Sequence, residues 1–226
     1  MTRLLVLAIL ALVACGGSSP PTDAGKILRD SANAMANVRT VSATLKLTKG
    51  VVSIKGFTLV SARTAVRMPT DSDTVYTVKQ EDVSFALEIV IAGGHVYEHI
   101  PFTPFREVTG AEAKAFPDMA KLFDAATGLP AIIPAGTATK YVASEQLDGK
   151  QVDHVTTQYT PEQVRGLLAY LNSSGPVSAN LWVRSSDHLI PKAVLDGAFG
   201  DLGKDAAVEV DITNFNGTVS ITSPAP

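Results

Sequence analysis

The sequence has a single cysteine, so an intrachain disulfide and a thiolate metal cage are both excluded. It also lacks any excess of positive charge: 19 lysines and arginines stand against 22 acids. Without a basic surplus to neutralise phosphates, nucleic-acid binding is not expected. Aromatic residues make up only 6% of the chain, which is too few for a base-stacking platform. There is no G-x-S-x-G elbow, no G-x-G-x-x-G turn and no repeat of useful period. Gly203-Lys204 suggests the end of a phosphate-binding loop, but Ala198 stands where the first glycine is required and Asp205 replaces Ser/Thr. What is present is 226 residues, 46% hydrophobic and 18% charged. Such a chain buries a sizeable core, so disorder over its whole length is excluded.

The N-terminus reads as an address. Arg3 precedes the apolar run Leu4 to Val13. A permanent transmembrane helix needs about 20 such residues, whereas a signal-peptide h-region needs about ten. Leu12-Val13-Ala14-Cys15 resembles the lipobox of bacterial lipoproteins. An ordinary signal peptidase tolerates Leu12 at −3 poorly; the lipoprotein peptidase accepts it and requires the cysteine that follows. The resemblance implies cleavage after residue 14 and a thioether-linked diacylglycerol on Cys15. Residues 15–23, small, polar and proline-containing, read as a flexible tether.

Residues 24–223 read as one domain, with 224–226 as a tail. Asp23 caps a helix expected over 24–38, whose apolar residues recur at helical spacing. The period then changes to two. Val41, Ala43, Leu45 and Leu47 share one face of a strand, with serine, threonine and lysine on the other. Val51–Met68 continues as β structure with Gly56 as a kink. Pro69–Asp73 is expected as a turn and Val75–Lys79 as a short strand. Phe85, Leu87 and Ile89 alternate in the next strand, and Gly93-Gly94 turns into His95–Ile100. Phe105–Val108 adds a short strand.

A helical block follows, over 111–116 and 118–126, with Gly128 placed as a residue just past a helix end. Leu129–Ala135 carries two prolines and is expected to be neither helix nor central strand. Strands resume at Thr139–Gln146. Asp148-Gly149 is a hairpin turn into Gln151–Tyr159. Thr160, Pro161 and Gln163 open a helix expected to reach Leu171. Strands over 177–184, 188–198, 207–214 and 217–222 close the chain. The class is α+β: a large antiparallel sheet with an apolar face, and helices on one side of it.

No constellation of catalytic residues emerges, and the chain reads as a non-enzyme. His95 and His99 have H-x-x-x-H spacing. On a strand rising about 3.3 Å per residue they stand about 13 Å apart, too far to share a metal. They read as surface histidines, as do His154 and His188, and no metal site is expected. Trp182 has the opposite parity from Leu181 and Val183, which places it on the outer sheet face or at the rim.

Four landmarks carry a family resemblance. They are Ile91-Ala92-Gly93-Gly94-His95-Val96-Tyr97; Thr127-Gly128-Leu129; Leu147-Asp148-Gly149-Lys150-Gln151; and Pro176 to Val183 (PVSANLWV) followed by Asp187-His188-Leu189. Their order and spacing behind a lipobox resemble the LppX/LprG/LprF/LprA family of mycobacterial and related actinobacterial lipoproteins, over most of 24–226. Arg106-Glu107-Val108 departs from it, since several relatives have a Trp/Tyr-containing segment there.

The resemblance implies a half-barrel sheet wrapped on helices around an apolar cavity, as in carriers of the LolA/LolB type. It implies an acylated lipid or glycolipid as ligand, with no cofactor. It further implies a lipid-anchored monomer on the extracytoplasmic side of the cell membrane and an envelope lipid transporter as delivery partner. Candidate cavity residues are Val41, Ala43, Leu45, Leu47, Phe85, Leu87, Ile89, Leu181 and Val183. Two rival readings are a structural lipoprotein with a closed core and an envelope hydrolase.

Overall fold

Three hairpins set the strand order. Lys55-Gly56, Gly93-Gly94 and Asp148-Gly149 each place two consecutive residues at positive φ (51 and 83°, 59 and 83°, 50 and 73°). This is the type I′ geometry that matches strand twist. The computed structural model describes residues 22–167 and 173–224; the leader, Cys15 and most of the tether lie outside them. The elements are helix α1 (Ala24–Met35), strands β1 (Thr40–Lys49), β2 (Ser53–Ile54), β3 (Phe57–Arg67), β4 (Asp71–Gln80), β5 (Val83–Ala92), β6 (His95–His99) and β7 (Arg106–Val108), short helices α2 (Gly110–Ala113) and α3 (Leu129–Ile132), strands β8 (Thr137–Leu147) and β9 (Lys150–Tyr159), helix α4 (Pro161–Leu167), and strands β10 (Val177–Arg184), β11 (Lys192–Gly197) and β12 (Ala206–Thr213).

All twelve strands join one curved sheet in the order β7-β6-β5-β4-β3-β1-β12-β11-β10-β9-β8, with β2 attached to β3. Every pairing is antiparallel. The chain starts at the centre of the sheet, meanders out to β7, crosses through the helical block, and returns from β8 to pair β12 with β1. β7 and β8 are not paired with each other, so the barrel stays open.

α1 begins where expected: Asp23 Oδ1 accepts from the Lys26 N–H at 2.9 Å. It buries Leu28, Ala32 and Met35 against the inner sheet face. It stops at Met35 rather than Val38, as the chain turns into β1 with Val38 still buried. The capping box of α4 forms: the Thr160 N–H donates to Gln163 Oε1 at 2.7 Å, and the Gln163 N–H to Thr160 Oγ1 at 3.4 Å. The remainder of that expected helix, to Leu171, extends outside the described residues.

Several expectations are corrected. β4 starts at Asp71, inside the expected turn. Ser72 and Thr74 are buried on the inner face, and the Thr64 and Thr74 hydroxyls share a hydrogen bond of 2.8 Å across the pair, so small polar residues are satisfied within the sheet. Residues 118–126 yield only a single 3₁₀ turn, Lys121–Phe123. Asp118 and Asp124 draw nearby backbone N–H groups onto their carboxylates, Asp124 Oδ1 accepting from Thr127 at 2.8 Å, and so compete with the helix. Leu129–Ala135 is helical after all, as α3 and a 3₁₀ turn. Each proline sits in a first turn, where its missing N–H costs nothing. Gly128 is therefore the N-cap of α3 rather than the end of an earlier helix. Of the closing strands, 188–198 shortens to β11, because His188 takes φ 59° in the preceding turn. Residues 217–222 form no strand. They cross the outer sheet face, where Ile221 buries itself against Val90 and Ala92 and its carbonyl accepts from Arg67 Nη2 at 3.2 Å.

After β1 the chain passes Gly50 at φ 78°, where an added Cβ would lie 2.3 Å from the Asp205 carbonyl oxygen. Both strain and collision oppose a side chain here. Gly50→Ala is expected to lower stability by more than about 2 kcal/mol, read as a shift of the urea midpoint at unchanged slope.

Candidate functional site

The described helices are short against the sheet they cover. The sheet path of eleven strands contains ten spacings of about 4.8 Å, so its inner face is about 48 Å wide, and a ten-residue strand is about 33 Å long. α1, with 12 residues, is about 18 Å long and 10–12 Å across. The inner side chains consequently gather into two clusters. One forms around α1 with Val41, Val66, Val155 and Val183. The other forms over β3, β4 and β5 with Leu59, Val78, Leu87, Phe116 and Phe199. Val164, Leu195 and Val210 touch both.

Between the clusters lies a cavity of about 200 Å³. An engineered cavity of about 150 Å³ stays dry and admits benzene. The sheet wall comprises Ala43 and Leu45 from β1, Leu59 and Ala62 from β3, Leu181 from β10, Ala193 and Leu195 from β11, and Val208, Val210 and Ile212 from β12. Met35, Met119, Leu122, Phe123, Leu129 and Ile132 form the helical wall. Among the described residues no charged side chain lines the space. Its polar groups are threonines and tyrosines: Thr64 is paired with Thr74, and the Tyr159 hydroxyl donates to the Ile133 carbonyl at 3.1 Å. Burial holds the Tyr159 phenol neutral, its pKa well above the ordinary tyrosine value. Such a lining suits hydrocarbon better than an ion.

Of the nine residues singled out from the sequence, Ala43, Leu45 and Leu181 line this cavity. Val41 and Val183 are completely buried in the α1 cluster. Leu87 and Ile89 are buried in the second cluster, with Phe85 and Leu47 packed against it, Phe85 edge-on to Phe57 at 5.0 Å. All nine share the inner face, but only three reach the gap. None of the nine belongs to the helical wall: Met35 lies on the apolar face expected for the first helix, whereas Met119, Leu122, Leu129 and Ile132 lie where prolines and aspartates break the helical block into short turns. Cys15 lies outside the described residues.

Trp182 faces outward, stacked on His154 at 4.4 Å, with its N–H donating to Glu145 Oε2 at 3.2 Å. This bond and His154 hold the Glu145 carboxyl below its usual range. His95 and His99 face outward too, against Glu107 at 2.7 Å and Glu88 at 3.2 Å. Among the described residues no group of three or more His, Cys, Asp or Glu side chains converges as a metal site would.

At the β6–β7 edge of the inner face four charges interlock. Lys55 reaches Glu98 at 2.6 Å and Glu112 at 3.2 Å; Arg106 reaches Glu98 at 2.5 Å and Glu112 at 2.6 Å. The network ties the β2–β3 turn to β6, β7 and α2. Arg106, then Lys55, lowers the Glu112 carboxyl from 4.5 to about 2. A depressed carboxylate contributes stability that is complete above 4.5 and is lost as pH falls toward 2. Thermal melts across that window are expected to fall less steeply in Glu112→Gln than in the parent.

The model of the LppX_LprAFG lipoprotein family matches residues 23–221. The chain belongs to this family. Its fold is that of LprF from Mycobacterium bovis, at TM-score 0.71 and 17% identity, over 91% of this chain and 99% of that one. LppX from Mycobacterium tuberculosis is similar at TM-score 0.64 and 18% identity, over 88% and 98%. At such identities the likeness establishes the fold. No curated protein matches the sequence. Among the described residues of this LppX_LprAFG lipoprotein, no helix is long and apolar enough to cross a membrane.

Proposed function

We propose that this lipoprotein takes an acylated lipid or glycolipid into the cavity between sheet and helices and carries it within or across the cell envelope. In this reading a diacylglycerol on Cys15 anchors it on the extracytoplasmic side of the membrane. It acts as a monomer, without catalysis, and hands its cargo to an envelope lipid transporter. The observation that carries the reading is the cavity itself, uncharged among the described residues, beneath an inner face about 48 Å wide whose longest described helix has 12 residues.

The energetics supply the reason for a carrier. Each 16-carbon chain resists leaving the bilayer by about 12 kcal/mol, at about 0.8 kcal/mol per methylene. A lipid crosses an aqueous compartment only if a protein replaces that contact. The space of about 200 Å³ suits a segment of one chain, so a whole lipid requires the helical wall to move outward. Organic extraction of the purified protein tests the reading. Acylated lipid in stoichiometric amount, absent from an unrelated lipoprotein purified alongside, supports it; extracts matching the control contradict it.

A further inference from the structure

The strand register gives the half-barrel two ends of different character. At one end lie the 93–94 and 148–149 turns and residues 68–70 and 185–188, mostly small or polar. At the other lie residues 50–56, 81–82, 100–105 and 198–205. Seven large hydrophobic side chains are exposed among the described residues, and five of them sit in or beside this second set: Val51, Val83, Ile100, Phe102 and Leu202. Val60 lies on the outer face just below, and only Val142 is elsewhere. Phe102 is 106% exposed and Leu202 92%. Both hold left-handed backbone, at φ 68° and 58°. Their loops are pinned: the Thr103 hydroxyl donates to the Ile100 carbonyl at 2.8 Å, and Asp201 accepts from the Ser53 hydroxyl at 2.6 Å.

We infer that this rim is a membrane-contact surface whose apolar tips insert among the lipid headgroups. The tips lie on different loops, with charged neighbours in the chain: Asp82, paired with Lys79, precedes Val83, and Lys204 follows Leu202 by two residues. A protein partner packs best on a continuous surface, whereas a bilayer interface accepts isolated apolar side chains within a polar collar. The chain also brings the occupant near: nine residue steps from Cys15 to Ala24 span at most about 30 Å, so the proposed anchor keeps the fold within reach of the bilayer. The rim shares its loops with the cavity, since Val52 and Phe199 line it and stand within three residues of Val51 and Leu202. The inference rests on the proposed anchor for proximity and is independent of the cargo.

The test uses full-length acylated protein in vesicles of phosphatidylglycerol and phosphatidylethanolamine carrying brominated acyl chains. Trp182, near the opposite end of β10, is the native reference. Phe102→Trp and Leu202→Trp each add one reporter at an exposed position where folding does not depend on the side chain. In vesicles that float with the protein, the added emission is expected to shift blue and to lose most of its intensity, while Trp182 emission keeps its own. Added emission as insensitive to bromine as that of Trp182 overturns the rim alone. Protein that does not float overturns both anchor and rim. Neither outcome touches the cargo, which is read separately by extraction.

Discussion

Ala193→Trp is expected to purify folded and free of lipid. Ala193 lies on the inner face of β11, paired with Leu181 and Val210, and its methyl group lines the cavity. An indole is larger than the benzene that a cavity of about 150 Å³ accepts, so it fills most of the space here. Overpacking a filled core costs about 1–3 kcal/mol. Where a void receives the ring, the cost is expected to stay below about 1 kcal/mol and the melting temperature close to that of the parent. Val183→Trp is the contrast. Val183 is completely buried in the α1 cluster and does not line the cavity, and the same ring there is expected to unfold or strongly destabilise the protein. Lipid retained by folded Ala193→Trp would place the cargo elsewhere.

Cys15→Ala is expected to move the protein from the membrane to the soluble or secreted fraction and to remove the diacylglyceryl mass from its N-terminal peptide. Cys15 is the sole cysteine, so no other thiol replaces it. Two acyl chains give stable anchoring, whereas a single chain binds only marginally. The rim around Phe102 and Leu202 supplies surface contact rather than anchorage, so it does not hold the variant on the membrane. An acylated species still found with membrane lipids in Cys15→Ala would refute the lipobox.

Local chemistry made much of the fold legible. Two adjacent positive-φ positions at Gly93-Gly94 and Asp148-Gly149 could be read as turns from residue type, and Asp23 and Thr160-Pro161-Gln163 as helix starts. Period-two alternation placed Val41, Leu87 and Leu181 on the inner face and Trp182 on the outer. What alternation does not encode is how far across that face the helices reach. Leu87 and Leu45 have the same pattern, yet one is fully buried in the second cluster while the other borders the cavity, because the void depends on sheet width against helix length. Asp118 and Asp124 dissolved an amphipathic helix through side-chain bonds that periodicity ignores. Residues 217–222 alternate like a strand, but β12, which they follow, is already paired on both sides by β1 and β11, and they pack across the outer face instead.

Native mass spectrometry of the full-length wild-type protein, released gently from its own membranes, tests the central claim most directly. The account predicts a population heavier than the acylated polypeptide by one further acylated lipid, lost on collisional activation and absent from Ala193→Trp. A spectrum containing only the acylated polypeptide, in wild type and variant alike, would contradict it.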